Sequence, residues 1–252
     1  MKMYLDPTRY IETSEPLDVS LPLSPTSDNP RAWYVDPPVM EPVRTAHYVG
    51  SRAEGGSVNF RNIFFNPHGH GTHTECLGHI TEEVFSVNAR LKEYWFEATL
   101  ITVQPKERAH PDGKTDLVIT PDCLHLPEKC GKALLIRTLP NVQGKRTRNY
   151  SATNPPYFDR ACVKDLLAKG VEHLLIDLPS VDRENDEGKL AFHHDFWEVP
   201  ENPNHQRTIT ELIFVKDEIE DGNYLLNLHL APFENDAAPS RPVLYKIRTE
   251  LI

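Results

Sequence analysis

Apolar positions along this chain fall in short runs broken by proline, glycine and charge, a pattern that favours strands over long helices. Runs rich in β-branched and aromatic residues predict strands over 17–21, 43–49, 58–65, 98–103, 133–137, 173–176, 224–230 and 243–247. The clearest exception is DRACVKDLLAK at 159–169, where Ala161, Val163, Leu166 and Leu167 recur at helical spacing and Gly170 ends the helix before VEHLLID resumes as strand. A second helix is expected over 84–95. The tracts 139–156 and 198–207, rich in Pro, Asn and charge, read as long loops. Without repeats or low-complexity stretches, residues 1–252 read as one mixed α/β domain, long enough to bury a substantial core.

A formal net charge of -10 argues against general nucleic-acid binding, because little here would neutralise a run of phosphates. The opening MKMYLDPTRYIETSEP carries charges and prolines where a signal peptide needs an apolar stretch, and no later segment reaches transmembrane length. The expectation is a cytoplasmic protein with no nucleic-acid or membrane partner. Cys76, Cys123, Cys130 and Cys162 lack CxxC spacing, so they are expected to be reduced rather than zinc-bound or bridged.

Chemistry concentrates in NPHGHGTHTECLGHI, 66–80, which packs His68, His70, His73, Glu75 and His79 around Gly69 and Gly71. Imidazole and carboxylate are ligands for zinc, manganese and iron, and the glycines allow the tight turns that let such groups converge. An extended segment would place His73 and Glu75 on one face and turn Cys76 away from them. Two other segments invite the same reading: AFHHDFWE with His193 and His194, and TITELIF with the lone acid Glu211. A carboxylate among apolar neighbours must face solvent, pair with a cation or bind metal, since burying it alone is costly. The DLPSVD segment, with Asp177, Ser180 and Asp182, reads as a hydrogen-bonded turn outside the catalytic set. Lys145, Arg146 and Arg148 read as a basic surface loop that could draw in an acidic substrate.

These segments resemble the metal-dependent cyclase-like hydrolases, a family that includes bacterial kynurenine formamidase and isatin hydrolase. Of its signature HxGTHxDxPxH, the chain carries Gly71, Thr72, His73, Glu75 and His79, with Glu75 in place of the aspartate and Leu77 in place of the proline. LDVSLPLSP, GVEHLLIDLPSVD, the His193 and Glu211 segments and DAAPSRPVLYKI extend the resemblance over nearly the whole chain. It implies a swivelling β/β/α-type fold with a central barrel-like β core and flanking helices. It also implies metal ligation by His73, Glu75, a later histidine and Glu211, general acid and base catalysis by His79, and substrate contact by Trp33.

Gly69 stands where the family has its first histidine, so His68 is the expected ligand there, with His70 the rival. His193 is preferred over His194 and then His205 as the later ligand. The implied cofactor is Zn²⁺ or Mn²⁺, one or two ions, and the implied assembly a homodimer or homotetramer. The implied activity is hydrolysis of a small amide or related acyl substrate, of the arylformamidase or cyclic-amidase kind. A metal- or ligand-binding homologue without turnover, or a cyclase, is the alternative.

Overall fold

The apolar runs pair in an order that returns the last strand to the first. In the computed structural model, which describes residues 1–250, the strands lie side by side as Gly222–Leu230, Trp95–Val103, Ala133–Thr138, His173–Ile176, Thr208–Glu211, His73–Glu75 and Ala237–Lys246. Ala237–Lys246 then pairs again with Gly222–Leu230, which closes a seven-stranded barrel and leaves no open edge among those strands. Trp95–Val103, Ala133–Thr138, His173–Ile176 and Thr208–Glu211 are parallel neighbours, whereas His73–Glu75 runs antiparallel to both of its partners.

Alternation along these strands separates two cores. Leu100, Leu135, Leu175, Leu226, Leu228 and Leu244 fill the barrel, while Leu134, Ile136, Leu174, Ile176 and Ile209 face outward against helices. Strands buried on both faces read as unbroken apolar runs, which is why ALLIRT and HLLI stand out in the sequence.

The helix Cys162–Ala168 is shorter than expected, because Asp159 Oδ1 accepts the Ala161 N–H at 2.9 Å and holds 159–161 as a turn. The expected helix over 84–95 shrinks to Val87–Arg90, since Trp95 instead opens a nine-residue strand in register with Asn227. A helix at Ala191–Trp197, absent from the sequence expectation, buries Phe192, Phe196 and Trp197 against the outer core. The expected strand over 43–49 is a hairpin of Arg44–Thr45 and Tyr48–Val49. Within 58–65, Arg61–Phe64 pairs with Val39–Pro42 as a two-stranded arm separate from the barrel, with Val39, Ile63 and Phe64 exposed.

The basic loop departs furthest from expectation. Lys145 is buried, and its Nζ donates to Asp177 Oδ2 at 2.8 Å, to the Thr138 carbonyl at 2.5 Å and to Thr138 Oγ1 at 2.8 Å. A cation bound to a buried acid is not available to steer a substrate. Among the described residues no helix is long and apolar enough to cross a membrane.

Candidate metal centre

The His73–Glu75 strand supplies the centre's geometry. Its register sets His73 opposite Glu211 and Glu75 opposite Ile209, so these four side chains share one face. Ile209 belongs to the outer core, which places the two acids and His73 outside the barrel, beneath the Ala191–Trp197 helix. Thr74 faces the other way, its hydroxyl 2.7 Å from that of Thr210.

The preceding loop points His68 and His70 in different directions. A Cβ on Gly69 would lie 2.7 Å from Val35 Cγ2 and 3.3 Å from the Ala32 carbonyl, so that position has no room for a side chain. His70 is held within the loop: its Nδ1 accepts the Asn66 N–H at 2.8 Å and its Nε2–H donates to the Asp36 carbonyl at 2.7 Å. Gly71, at φ +67, turns the chain into the strand. His68 points into the cluster, with Nδ1 2.9 Å from Glu75 Oε2 and Nε2 2.8 Å from Asp236 Oδ2.

His73 is fully buried and donates its Nδ1–H to the Gly71 carbonyl at 3.1 Å. Its Nε2 lies 3.4 Å from Glu211 Oε2. His73 Nε2 and Glu211 Oε1 are both buried with no hydrogen-bond partner among the described residues. Two buried polar atoms without partners on adjacent side chains, one a nitrogen and one an oxygen, suit a cation.

His193 enters from the Ala191–Trp197 helix, Nε2 3.2 Å from Glu75 Oε1 and Nδ1 2.6 Å from Asp182 Oδ2. Asp182 also accepts the N–H groups of Phe192 and His193, at 2.9 and 3.2 Å, so one carboxylate ties both the helix start and the ring. His79 ends the short 3₁₀ turn Leu77–His79, stacks on His68 with ring centroids 4.2 Å apart, and is the most accessible histidine of the group, 31% exposed.

Charge in the centre is unevenly held. Burial alone would lower the His68 pKa, but Asp236 and Glu75 outweigh it and raise it to about 10. His193 behaves likewise: burial opposes its charge, and Asp182 and Glu75 raise it to about 10. Glu211 is pushed up, first by burial and then by the nearby Glu75 charge. Glu75 is held well below the usual range, because His79, His193 and His68 outweigh its burial. Two buried acids sharing a pocket create a demand for positive charge.

Three overlapping groups bring their ligand atoms within 4.8 Å of one another: His68 with His73 and Glu75, Glu75 with His79 and His193, and His68 with His79 and Asp236. His194 is turned away, donating Nδ1–H to the Val199 carbonyl at 3.2 Å, and His205 packs on Phe85. Cys76 is buried and donates Sγ–H to the Phe85 carbonyl at 3.2 Å. Trp33 and Val35 wall a cavity of about 340 Å³ that reaches His68, His79, His193 and Glu211. Asp182 and Asp236 were not among the sequence-derived site residues, although both lie in segments that carried the resemblance.

The chain is 30% identical over 239 residues to kynurenine formamidase of Bacillus cereus, a match covering 94% of this chain and 100% of the relative. Kynurenine formamidase of Bacillus anthracis is 29% identical over the same length, with the same coverage. The fold is similar to that of an isatin hydrolase bound to the product analogue thioisatinate, with a TM-score of 0.62, 14% identity and 93% of each chain covered. It is similar also to a potential metal-dependent hydrolase with cyclase activity, with a TM-score of 0.63, 18% identity, and 92% of this chain and 97% of that one covered. The Cyclase family model, described as "Putative cyclase", matches residues 17–183, a span that takes in the histidine cluster and Asp182. With two thirds of its length under that model and the kynurenine formamidases aligned almost end to end, this chain belongs to the Cyclase family.

Proposed function

We propose that the chain is a metal-dependent hydrolase acting on a carbon–nitrogen bond of a small amide, or on a related acyl bond. The observation that carries this reading is the meeting of His68, His73, Glu75, His193 and Glu211 in one buried pocket beside an accessible histidine, His79. The identity to proteins named kynurenine formamidase supports the amide class. Those five residues would hold the divalent cation, Zn²⁺ or Mn²⁺, one ion or two, because their nitrogen and oxygen donors suit either metal. Such a cation supplies a polarised acyl oxygen and a water acidified towards neutrality.

The remaining work belongs to the chain. Asp182 engages His193 Nδ1 and the Gly71 carbonyl engages His73 Nδ1, so each ring presents Nε2 to the pocket. His79 takes a proton from the attacking water and hands it to the leaving nitrogen or oxygen. Trp33 and Val35 offer an apolar wall for an aromatic or cyclic acyl group. Glu75 is one methylene longer than the family's aspartate and His68 stands one residue early, yet the two meet at 2.9 Å.

The test is chelator-stripped protein reconstituted with Zn²⁺ or Mn²⁺ and assayed on aryl formamides, lactams and lactones. Turnover lost with chelator and restored by metal is the expected result. Tight metal binding with no turnover on any of the three would assign a binding homologue instead. A homodimer or homotetramer is part of the same proposal, supported by the exposed Val39, Phe60, Ile63 and Phe64 on and beside the two-stranded arm. Light scattering of wild type against an Ile63→Ser/Phe64→Ser variant tests it, and a wild-type monomer would overturn it. The free cysteines are in keeping with a cytoplasmic setting.

A further inference from the structure

We propose that Asp236 is a positioning carboxylate shared by two imidazoles, fixing the tautomer of His68 as a ligand and of His79 as the proton carrier. This rests on the hydrolase reading above. Asp236 lies immediately before the Ala237–Lys246 strand, and its carbonyl accepts the Cys76 N–H at 3.1 Å, which ties it to the segment between Glu75 and His79. A single oxygen, Oδ2, lies 2.8 Å from His68 Nε2 and 3.5 Å from His79 Nδ1. The two rings stack with centroids 4.2 Å apart and planes 28° from parallel.

An ionised carboxylate only accepts, so each ring nitrogen facing it carries hydrogen. With Nε2–H kept by Asp236, a cation that replaces the proton between His68 Nδ1 and Glu75 Oε2, 2.9 Å apart, would find the His68 lone pair on Nδ1. In neutral His79 the lone pair is on Nε2, the nitrogen left to act as a base. The pattern repeats across the centre: the Gly71 carbonyl holds His73 Nδ1, Asp182 holds His193 Nδ1, and Asp236 holds His68 Nε2. In each case an oxygen acceptor takes one nitrogen and leaves the other for the pocket, as outer partners of metal-bound histidines do. His68 has particular need of such a tether, since it sits on the loop, ahead of a glycine, rather than on the strand that fixes His73 and Glu75.

The variants are Asp236→Asn and Asp236→Glu, with Asp182→Asn for comparison. An asparagine that turns its amide N–H₂ towards the rings asks for the opposite tautomers. Asp236→Asn is expected to weaken Zn²⁺ affinity by about 10–100-fold in chelator competition. It should also lower kcat, measured at saturating Zn²⁺, by a further factor of ten or so with KM nearly unchanged, as general-base loss does. Asp236→Glu should restore part of both, whereas Asp182→Asn should weaken affinity and leave kcat at saturating Zn²⁺ much closer to wild type. Affinity within twofold of wild type in Asp236→Asn, or equal losses in the Asn and Glu variants, would overturn the proposal.

A readout independent of any variant is the imidazole ¹⁵N spectrum of the zinc-loaded wild-type protein, which should show His79 as the Nδ1–H tautomer and His68 with hydrogen on Nε2. The opposite assignment for either ring overturns the proposal even if the variants fail to fold. A wild type that binds Zn²⁺ but turns over nothing would sink the hydrolase reading, while the His68 half of the inference would still be judged by affinity and spectrum.

Discussion

Lys145→Met removes one charge from the interior and keeps nearly the same side-chain length, so its cost isolates a buried ion pair. In the wild type, Lys145 Nζ meets Asp177 Oδ2 and both oxygens of Thr138, and neither Lys145 nor Asp177 is more than 7% exposed at its side chain. Breaking one side of such a pair costs about 3–5 kcal/mol, because the survivor is left as an uncompensated buried charge. Asp177 would keep two bonds, from the Thr138 N–H at 2.9 Å and Thr138 Oγ1 at 2.8 Å, so the expected loss is near the lower end, about 3 kcal/mol. That is a large part of the roughly 5–15 kcal/mol by which a domain is stable.

The sign with pH follows from Asp177. Burial raises its pKa above the ordinary 3.8 even though Lys145 pulls it down. A raised acid contributes stability that is fully present below 3.8 and is lost as pH climbs through its folded value. Removing the ammonium raises that folded value further, so the variant goes on losing stability to higher pH than the wild type. Urea unfolding at pH 5 and pH 8 should therefore show a smaller deficit at pH 5, and Lys145→Met/Asp177→Asn should recover most of it. A deficit under about 1 kcal/mol at pH 8, an equal deficit at both pH values, or no recovery in the double variant would refute the reasoning.

Three further outcomes are expected. His68→Ala should weaken cation affinity far more than His70→Ala, which should instead cost about 1–2 kcal/mol of stability through its two lost loop bonds; chelator competition and urea melts read the two effects, and the reverse order would make His70 the ligand. His79→Ala should keep most bound metal and lose roughly two to four orders of magnitude in rate, and a metal-free variant would show that the division of roles is wrong. Glu75→Asp should weaken cation binding rather than improve it, because a shorter arm gives up the 2.9 Å approach to His68; tighter binding measured by competition would contradict this.

The barrel strands were legible because burial on both faces makes them continuous apolar runs, as at Ala133–Thr138. Their closure was not, since it depends on pairing between Gly222–Leu230 and Ala237–Lys246 and on a three-residue strand too short to announce itself. The period-two spacing of His73 and Glu75 survives intact in the structure. What period alone could not show is where His68 and His70 point, which is set by the packing of Val35 and Ala32 on Gly69 and by the carbonyl of Asp36. The Ala191–Trp197 helix was hidden by His193, His194 and Asp195 in its middle, which dilute the apolar spacing of Phe192 and Phe196. Lys145 looked like surface because its partner, Asp177, lies 32 residues away. Asp182 and Asp236 had the same disguise: a lone aspartate in a turn differs from one that orients an imidazole only by what folds against it.

The His73–Glu75 strand is three residues long and is paired along both sides, with Thr208–Glu211 on one and Ala237–Lys246 on the other. Its backbone cannot separate from one neighbour without opening the ring. Amide hydrogens there should exchange only with global unfolding, so that Thr74 ranks among the slowest positions in a deuterium-exchange map whether or not a divalent cation is present. A cation would then find His73 and Glu75 already in place, with no rearrangement of the strand that carries them. Loss and return of an ion would leave that strand folded throughout.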